Sequence, residues 1–368
     1  MTNLFIGLMS GTSMDGIDAA LVDFSAGRTQ ILATHSHKYP TALHRQLEAA
    51  LELKAPLDTD LTAIDTAVGE TFAAATNELL AQFNISPEEI IAIGSHGQTI
   101  RHAPDAPEPY SLQTGNPNII AQHTGIDVVA DFRRADIEAG GQGAPLVPAF
   151  HQAVFSEDTE DRVIVNIGGI ANITILASGS ATPVSGFDTG PGNTLMDYWT
   201  QTHRQTSMDN NGDWAAAGQV DTTLLERMLA DAYFQAAPPK STGREYFNPD
   251  WLLQYTADSN ASANAIQTTL CELTACTVAT AIQTHAGNAK RLLVCGGGVH
   301  NTELMKRLAN NLPGMAVEST DAYGINPDWV EAAAFAWLAK QCIEGRPGNI
   351  PAVTGASRAV SLGQLVRH

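Results

Sequence analysis

One carboxylate in this chain is framed as a fixed catalytic base would be. Asp188 lies in VSGFDTGPGNTLMD, residues 184–197, with Gly186, Gly190 and Gly192 around it. Glycines let the backbone take torsions that aim a single acid in a set direction, and Asn193 or Thr194 is placed to start a helix behind it. The competing reading is an Asp that closes a turn through its own backbone, so the rest of the chain has to decide.

Three other stretches have the composition of anion-binding turns. In LFIGLMSGTSMDGIDAALVDF, residues 4–24, two apolar runs flank Ser10, Gly11, Thr12, Ser13, Met14, Asp15 and Gly16. A hairpin with such a tip exposes N–H groups and hydroxyls suited to phosphate. VIVNIGGIANITIL, residues 163–176, repeats the design around Asn166, Gly168 and Gly169, and two such hairpins suggest an internal duplication. The third stretch is RLLVCGGGVHNTELMKRLANNL, in which the strand 292–295 runs into Gly296, Gly297 and Gly298 and then a helix from about Asn301. Glycines at that corner permit close approach of a flat or charged group such as a nucleoside.

Polar groups past strand ends supply a substrate side. The apolar run 90–93 leads into GSHGQTIRH, read as a loop carrying His96, Gln98, Thr99, Arg101 and His102, and 126–130 delivers Asp131, Arg133 and Arg134. Open α/β sheets place ligands at such edges. Arg133 could fork onto a carboxylate or phosphate, or pair with Asp131 or Asp136. His96 and His102 lack a third nearby ligand, which makes zinc the weaker alternative to substrate contact. Glu331 interrupts an otherwise apolar helix face, and PPKSTGREYFN, residues 238–248, resembles the end of a P-loop without its upstream glycine.

These residues need a scaffold, and the patterning supplies one. Leucines at 43, 47 and 51, then Leu61, Ile64, Val68 and Phe72, mark helix faces, Asp221–Phe234 reads as one amphipathic helix, and Ala263–Ala286 as a long one. The last short strand is expected at Val360–Leu365. At 368 residues two domains are the default. A formal charge of −19 opposes general adhesion to nucleic acid or anionic lipid. Four cysteines without C-x-x-C spacing read as buried thiols in a reducing compartment. No basic start precedes the first strand and no apolar run is read as membrane-length, so a cytoplasmic protein is expected.

The order of hairpin turn, second hairpin turn, isolated Asp and strand–GGG–helix corner resembles the actin, sugar kinase and heat-shock chaperone superfamily. Within it, LMSGTSMDGID, GSHGQTIRH, VADFRR, GGQGAPLVPAFH, NIGGIAN, GFDTGPGN, KSTGR and VCGGGVHN resemble the anhydro-N-acetylmuramic acid kinases over essentially the whole chain. The resemblance implies an α/β, two-domain actin-like fold, a duplicated ribonuclease H-like unit with an ATP cleft between the domains. The lobes are expected at 1–135 plus about 342–368, and at 136–341. It also implies hydrolysis of 1,6-anhydro-N-acetylmuramic acid coupled to phosphorylation, giving N-acetylmuramic acid 6-phosphate, with ATP and Mg²⁺, in a homodimer.

Carried over residue by residue, Asp188 would be the base. Ser10 to Gly16, Asn166, Gly168, Gly169, Gly297 and Gly298 would contact ATP, and His96, Gln98, Thr99, Arg133 and Glu331 the sugar. Where related ATPases commonly have an aspartate in each phosphate hairpin, this chain has Met9 and Asn166, which leaves the Mg²⁺ ligands open among Asp15, Asp18 and Asp188. The alternative function is an ordinary sugar kinase acting on a free hydroxyl. A chaperone-like ATPase and a zinc hydrolase are the rivals from other classes.

Overall fold

The structure is a computed structural model that describes residues 3–11, 14, 16–52, 60–179 and 183–368. The chain divides into two compact units, Met1–Phe150 with Trp329–His368, and His151–Asp328.

In the first unit, β1 (Leu4–Ser10), β2 (Ile17–Asp23) and β3 (Gln30–His37) form an antiparallel meander. Helices α1 (Thr41–Glu52) and α2 (Thr62–Phe83) follow, then β4 (Ile90–Ala103), parallel to β1, and β5 (Tyr110–Thr114), antiparallel to β4. Next come α3 (Pro117–Thr124), β6 (Val128–Ala130), parallel to β4, and α4 (Arg134–Glu138). Helix α5 (Val147–Phe155) leads into the second unit.

There β7 (Arg162–Ile167), β8 (Ile170–Leu176) and β9 (Ser185–Pro191) repeat the meander. Helix α6 (Thr194–Arg204) is followed by the short α7 (Asp213–Ala216), α8 (Thr222–Leu229), α9 (Ala232–Gln235) and α10 (Pro249–Thr256). Then α11 (Ala263–His285), β10 (Arg291–Cys295), α12 (Thr302–Asn311) and β11 (Ala316–Ser319) complete the unit. The chain returns to the first unit with α13 (Val330–Ile343), α14 (Pro351–Thr354) and β12 (Gln364–Val366).

The sheet orders are β12-β6-β4-β1-β2-β3 and β11-β10-β7-β8-β9. Aligned, β6-β4-β1-β2-β3 and β11-β10-β7-β8-β9 have the same order, with a three-strand antiparallel meander followed by two parallel strands on the side of the first. That repeat is the duplicated ribonuclease H-like unit of the actin-like fold. Strands β1 and β2 are largely apolar, with Ser10, Asp18 and Asp23 the exceptions, because both faces are covered along most of their length. Leu4, Ile6 and Leu8 join Leu43, Leu47, Phe72 and Leu79 in one core. On the other face Gly7 and Gly94 admit α13 so closely that added Cβ atoms would sit 1.8 Å from Ala332 O and 2.0 Å from Phe335 O. This packing ties α13 to the first unit, and Asp136, which accepts from Asn349 Nδ2 and Thr354 Oγ1, ties its own segment there; the sequence reading gave residues 136–150 and 329–341 to the other lobe.

Several local expectations change. GSHGQTIRH is strand and not loop, because β4 outlasts β1 and pairs onward with β5. The segment around Asp188 is likewise strand. The helix expected over 221–234 is two, because Asp231 accepts a hydrogen bond from Tyr233 N at 2.8 Å and caps a new start. The last strand lies at 364–366. Helix α11 is long and apolar enough to span a bilayer by length and composition, with 78% of that window buried, so it is the core helix of the second unit. Cys271 is a buried free thiol, and Cys295 is buried as well.

Candidate functional site

In the second unit Asp188 sits on β9 opposite Asn172 of β8. Thr242 N–H donates to its Oδ2 at 2.9 Å, its own N–H donates to Lys240 O at 3.2 Å, and Tyr233 Oη–H donates to its carbonyl at 2.7 Å. Lys240 Nζ reaches back to Tyr233 O at 3.0 Å and covers the Tyr233 ring at 4.6 Å. A distant segment therefore fixes the acid, and the reading of a carboxylate spent on closing its own turn is not what the structure shows. Burial pushes the Asp188 carboxyl up to about 6, the Thr242 hydrogen bond opposes that, and the Glu245 charge adds to the rise. An acid so raised is still ionised at neutral pH and more basic than an exposed aspartate.

The β7–β8 turn is tied to the start of α6. Gly168 O accepts from Asn193 N at 2.8 Å, and Gly169 O accepts from Gly192 N at 2.9 Å and Thr194 N at 3.1 Å. A Cβ added at Gly169 would lie 3.2 Å from Arg244 Nε and Nη2, so a guanidinium stands beside the turn. Asn166 lines the same strand end, with Oδ1 only 2.3 Å from where a Gly296 Cβ would be. Of the two glycines expected near a nucleoside, Gly298 is needed for packing, since its Cβ would meet Ile167 Cγ2 at 2.4 Å. Around Gly297 the nearest atom to such a Cβ is Asn193 Nδ2 at 3.9 Å, which leaves room for a ligand.

In the first unit, Thr12, Ser13 and Asp15 lie outside the described residues. Met14 has φ of 55°, its N–H donates to Gly11 O at 3.1 Å, and its side chain joins the core. Ser10 Oγ lies 2.9 Å from Gly16 O and 2.7 Å from Gln98 Oε1, and accepts from Tyr39 Oη–H at 3.0 Å. Gln98 Nε2 also donates to Gly11 O at 3.3 Å. Gln98, fully buried, thus braces the turn from beneath. Thr99 Oγ1 accepts from Gln113 Nε2 at 3.3 Å.

The structure brings His96, Arg133 and Glu331 together within that unit. Arg133 Nη2 donates to His96 Nε2 at 2.8 Å and Nη1 donates to Gly143 O at 2.7 Å. Burial lowers Arg133 to about 10, against the charges of Glu331 and Asp136. His96 accepts from a guanidinium that can only donate, so it is neutral, and burial and then Arg133 hold it down at about 3. Burial first, then the charge of Asp18, raises the Glu331 carboxyl, while Arg133 opposes.

Neither acid considered as a salt-bridge partner for Arg133 bonds to it. Asp131 pairs with Arg134 Nε at 2.7 Å. Asp136 instead accepts from Gly143 N at 2.7 Å, Asn349 Nδ2 at 2.6 Å and Thr354 Oγ1 at 2.7 Å. His102 Nδ1 lies 3.0 Å from Ser111 Oγ, so the two histidines weighed as zinc ligands have different partners. A cavity of about 310 Å³ opens beside His96, lined also by Ser95, Gln113, Asp131 and Arg134. Ser95 Oγ and His96 Nδ1 are buried without a hydrogen-bond partner among the described residues.

The sequence reading missed Tyr233, the Thr242 brace and the part of Asp136 as a buried acceptor, having named that acid only as a possible partner of Arg133. Only the cluster of small and basic residues in KSTGR hinted at the Thr242 brace.

A family model described as "Anhydro-N-acetylmuramic acid kinase" matches residues 3–368. Proteins named anhydro-N-acetylmuramic acid kinase from Shewanella oneidensis and Shewanella putrefaciens are 52% and 51% identical over 360 residues, 98% of this chain and 97% of each relative. Among solved structures, the activator of 2-hydroxyisocaproyl-CoA dehydratase from Clostridium difficile with bound ADPNP aligns at 11% identity and a TM-score of 0.47, covering 91% of this chain and 93% of that one. The fold is carried by the repeated strand order, and the match across nearly the full length settles the rest: the chain belongs to the anhydro-N-acetylmuramic acid kinase family.

Proposed function

We propose that this kinase transfers the γ-phosphoryl group of ATP to O6 of 1,6-anhydro-N-acetylmuramic acid while water opens the anhydro bridge at C1. The product is N-acetylmuramic acid 6-phosphate. The observation that carries the reading is Asp188, a raised carboxyl held by Thr242 N–H on a strand of a family member. A bridged sugar has its leaving oxygen tethered to the same ring, so opening it needs a base for water and an electrophile for O6. In this scheme Asp188 takes a proton from water as its oxygen bonds to C1. The C1–O6 bond breaks, O6 bonds to the γ-phosphorus, and the bond from that phosphorus to the ADP oxygen breaks. The proton on Asp188 then returns to solvent, and one carboxylate suffices because phosphorus replaces the second acid.

The hairpin turns 10–16 and 166–169 are assigned to the phosphates, with Arg244 beside the second as the cation that neutralises developing charge. Gly297 is assigned to the nucleoside. Arg133, with His96 and Gly143 fixing its fork, is assigned to the sugar together with Thr99 and Glu331. Gln98 acts through the turn it braces. Asp18 and Glu331 are oxygen donors close enough for one charge to raise the other's carboxyl, which fits a hard cation. Mg²⁺ held there would supply charge neutralisation to the phosphates. Family membership supports cytoplasmic action and a homodimer.

The test offers the purified enzyme the anhydro sugar or N-acetylmuramic acid in ¹⁸O-water. Phosphorylation of the anhydro sugar alone, with label at C1 and none in phosphate, supports the reading. Phosphorylation of N-acetylmuramic acid at an equal rate points to the ordinary hydroxyl kinase.

A further inference from the structure

Outside the residues assigned above, the first unit gathers three ligand-type side chains at one point of its surface. His35 and His37 lie two apart on β3 and so project from the same face of the sheet edge. Both rings reach Glu78 of α2. His35 Nε2 and His37 Nδ1 each stand 2.8 Å from the same atom, Glu78 Oε2. The three donor atoms lie within 4.8 Å of one another. The histidine side chains are 22% and 21% exposed and that of Glu78 52%, so the point is reachable from solvent while the rings are held on a strand and a helix.

We propose that His35, His37 and Glu78 form a binding site for a divalent first-row transition metal, Zn²⁺ or a cation of the same class. Two imidazole nitrogens and one carboxylate oxygen on one side of a point are the donor set such ions accept, with water completing the coordination sphere. A tetrahedral site with bonds of about 2.0–2.1 Å separates its ligands by about 3.3 Å, so the contacts need open by only about half an ångström. Mg²⁺ is excluded by chemistry, because it prefers oxygen ligands and octahedral geometry. The metal takes the lone pair of the ring nitrogen facing Glu78, so the proton there shifts to the other nitrogen of a neutral ring, or leaves to solvent from an imidazolium, and each ring binds neutral. The ion would clip the edge strand β3 to α2, and the proposal is independent of the kinase reaction.

The experiment is calorimetric titration of the full, untagged chain with ZnCl₂ in chelator-free buffer containing Mg²⁺, beside the double variant His35→Ala/His37→Ala. The expected result is a site in the wild type that Mg²⁺ does not compete for. The double variant should lose at least 100-fold in affinity for it, since even outer-shell losses cost 10–100-fold. Zn²⁺ should raise the melting temperature of the wild type and not of the variant, and kinase activity without zinc should be unchanged. Glu78→Ala serves as a second variant if the double one fails to fold. Zn²⁺ affinity equal in wild type and variants, or no binding by the wild type, overturns the proposal.

Discussion

The backbone N–H of Thr242 donates to the carboxylate of Asp188 at 2.9 Å. The same short segment supplies Glu245, whose charge works in the opposite direction on the same carboxyl. Residues 240–245 thus fix the aim of the proposed base and adjust, in opposite senses, the basicity that burial gives it.

From this follows a pH dependence. Asp188 must be ionised to accept a proton, so kcat/KM should fall as pH falls through about 6. Glu245→Gln removes a charge that raises the carboxyl, and the acidic limb should move to lower pH. His96, held at about 3, should add no limb between pH 5 and 8. A pH–rate profile of both proteins checks the point.

Stability should respond in the reverse sense to an ordinary salt-bridged aspartate. The folded-state value of about 6 lies above the ordinary 3.8, so the folded protein binds this proton more tightly. The Asp188 contribution to stability is therefore lost as pH rises from about 4 to 6, and above that range the ionised acid is a burden. Asp188→Asn should gain about 1–3 kcal/mol at pH 7.5. The gain should vanish near pH 3.5, as read from urea unfolding of the two proteins.

Arg133 is expected to act through its planar fork, one arm on His96 and the other on Gly143 O. Arg133→Lys keeps the charge and loses that geometry. The KM for the sugar should rise about tenfold or more, a cost of about 1.4 kcal/mol, with the KM for ATP little changed. Steady-state kinetics with each substrate varied distinguishes this from a general loss of fold.

Asp136 is fully buried and accepts from Gly143 N, Asn349 Nδ2 and Thr354 Oγ1. Asp136→Ala strands all three donors and should destabilise the protein by about 3–5 kcal/mol. Because Gly143 O also holds Arg133, sugar affinity should drop with it. Denaturant unfolding and sugar titration check both.

Much of this was legible in the sequence because it is local or periodic. The paired hairpins announced themselves through apolar runs around small-residue turns, and the duplication follows in the matching strand orders. Asp188 stood out by isolation among glycines. Its partners did not, since Thr242 and Tyr233 reach it from elsewhere in the chain and no spacing rule links them. GSHGQTIRH read as a loop because polar residues usually mark strand ends, yet Gln98 is buried where it can bond Ser10 and Gly11, and only pairing with β5 reveals that. Asp136 looked like a salt-bridge partner for Arg133, while its oxygens accept from three neutral donors and only its charge reaches Arg133.

The most direct test of the central claim is turnover of 1,6-anhydro-N-acetylmuramic acid by Asp188→Asn, with ATP binding measured in parallel. Asparagine keeps an acceptor for Thr242 N–H but cannot take a proton from water. The account expects turnover to fall by about 10²–10⁴-fold while ATP affinity stays within a few-fold of wild type. Near-normal turnover in a folded, ATP-binding Asp188→Asn protein would contradict it.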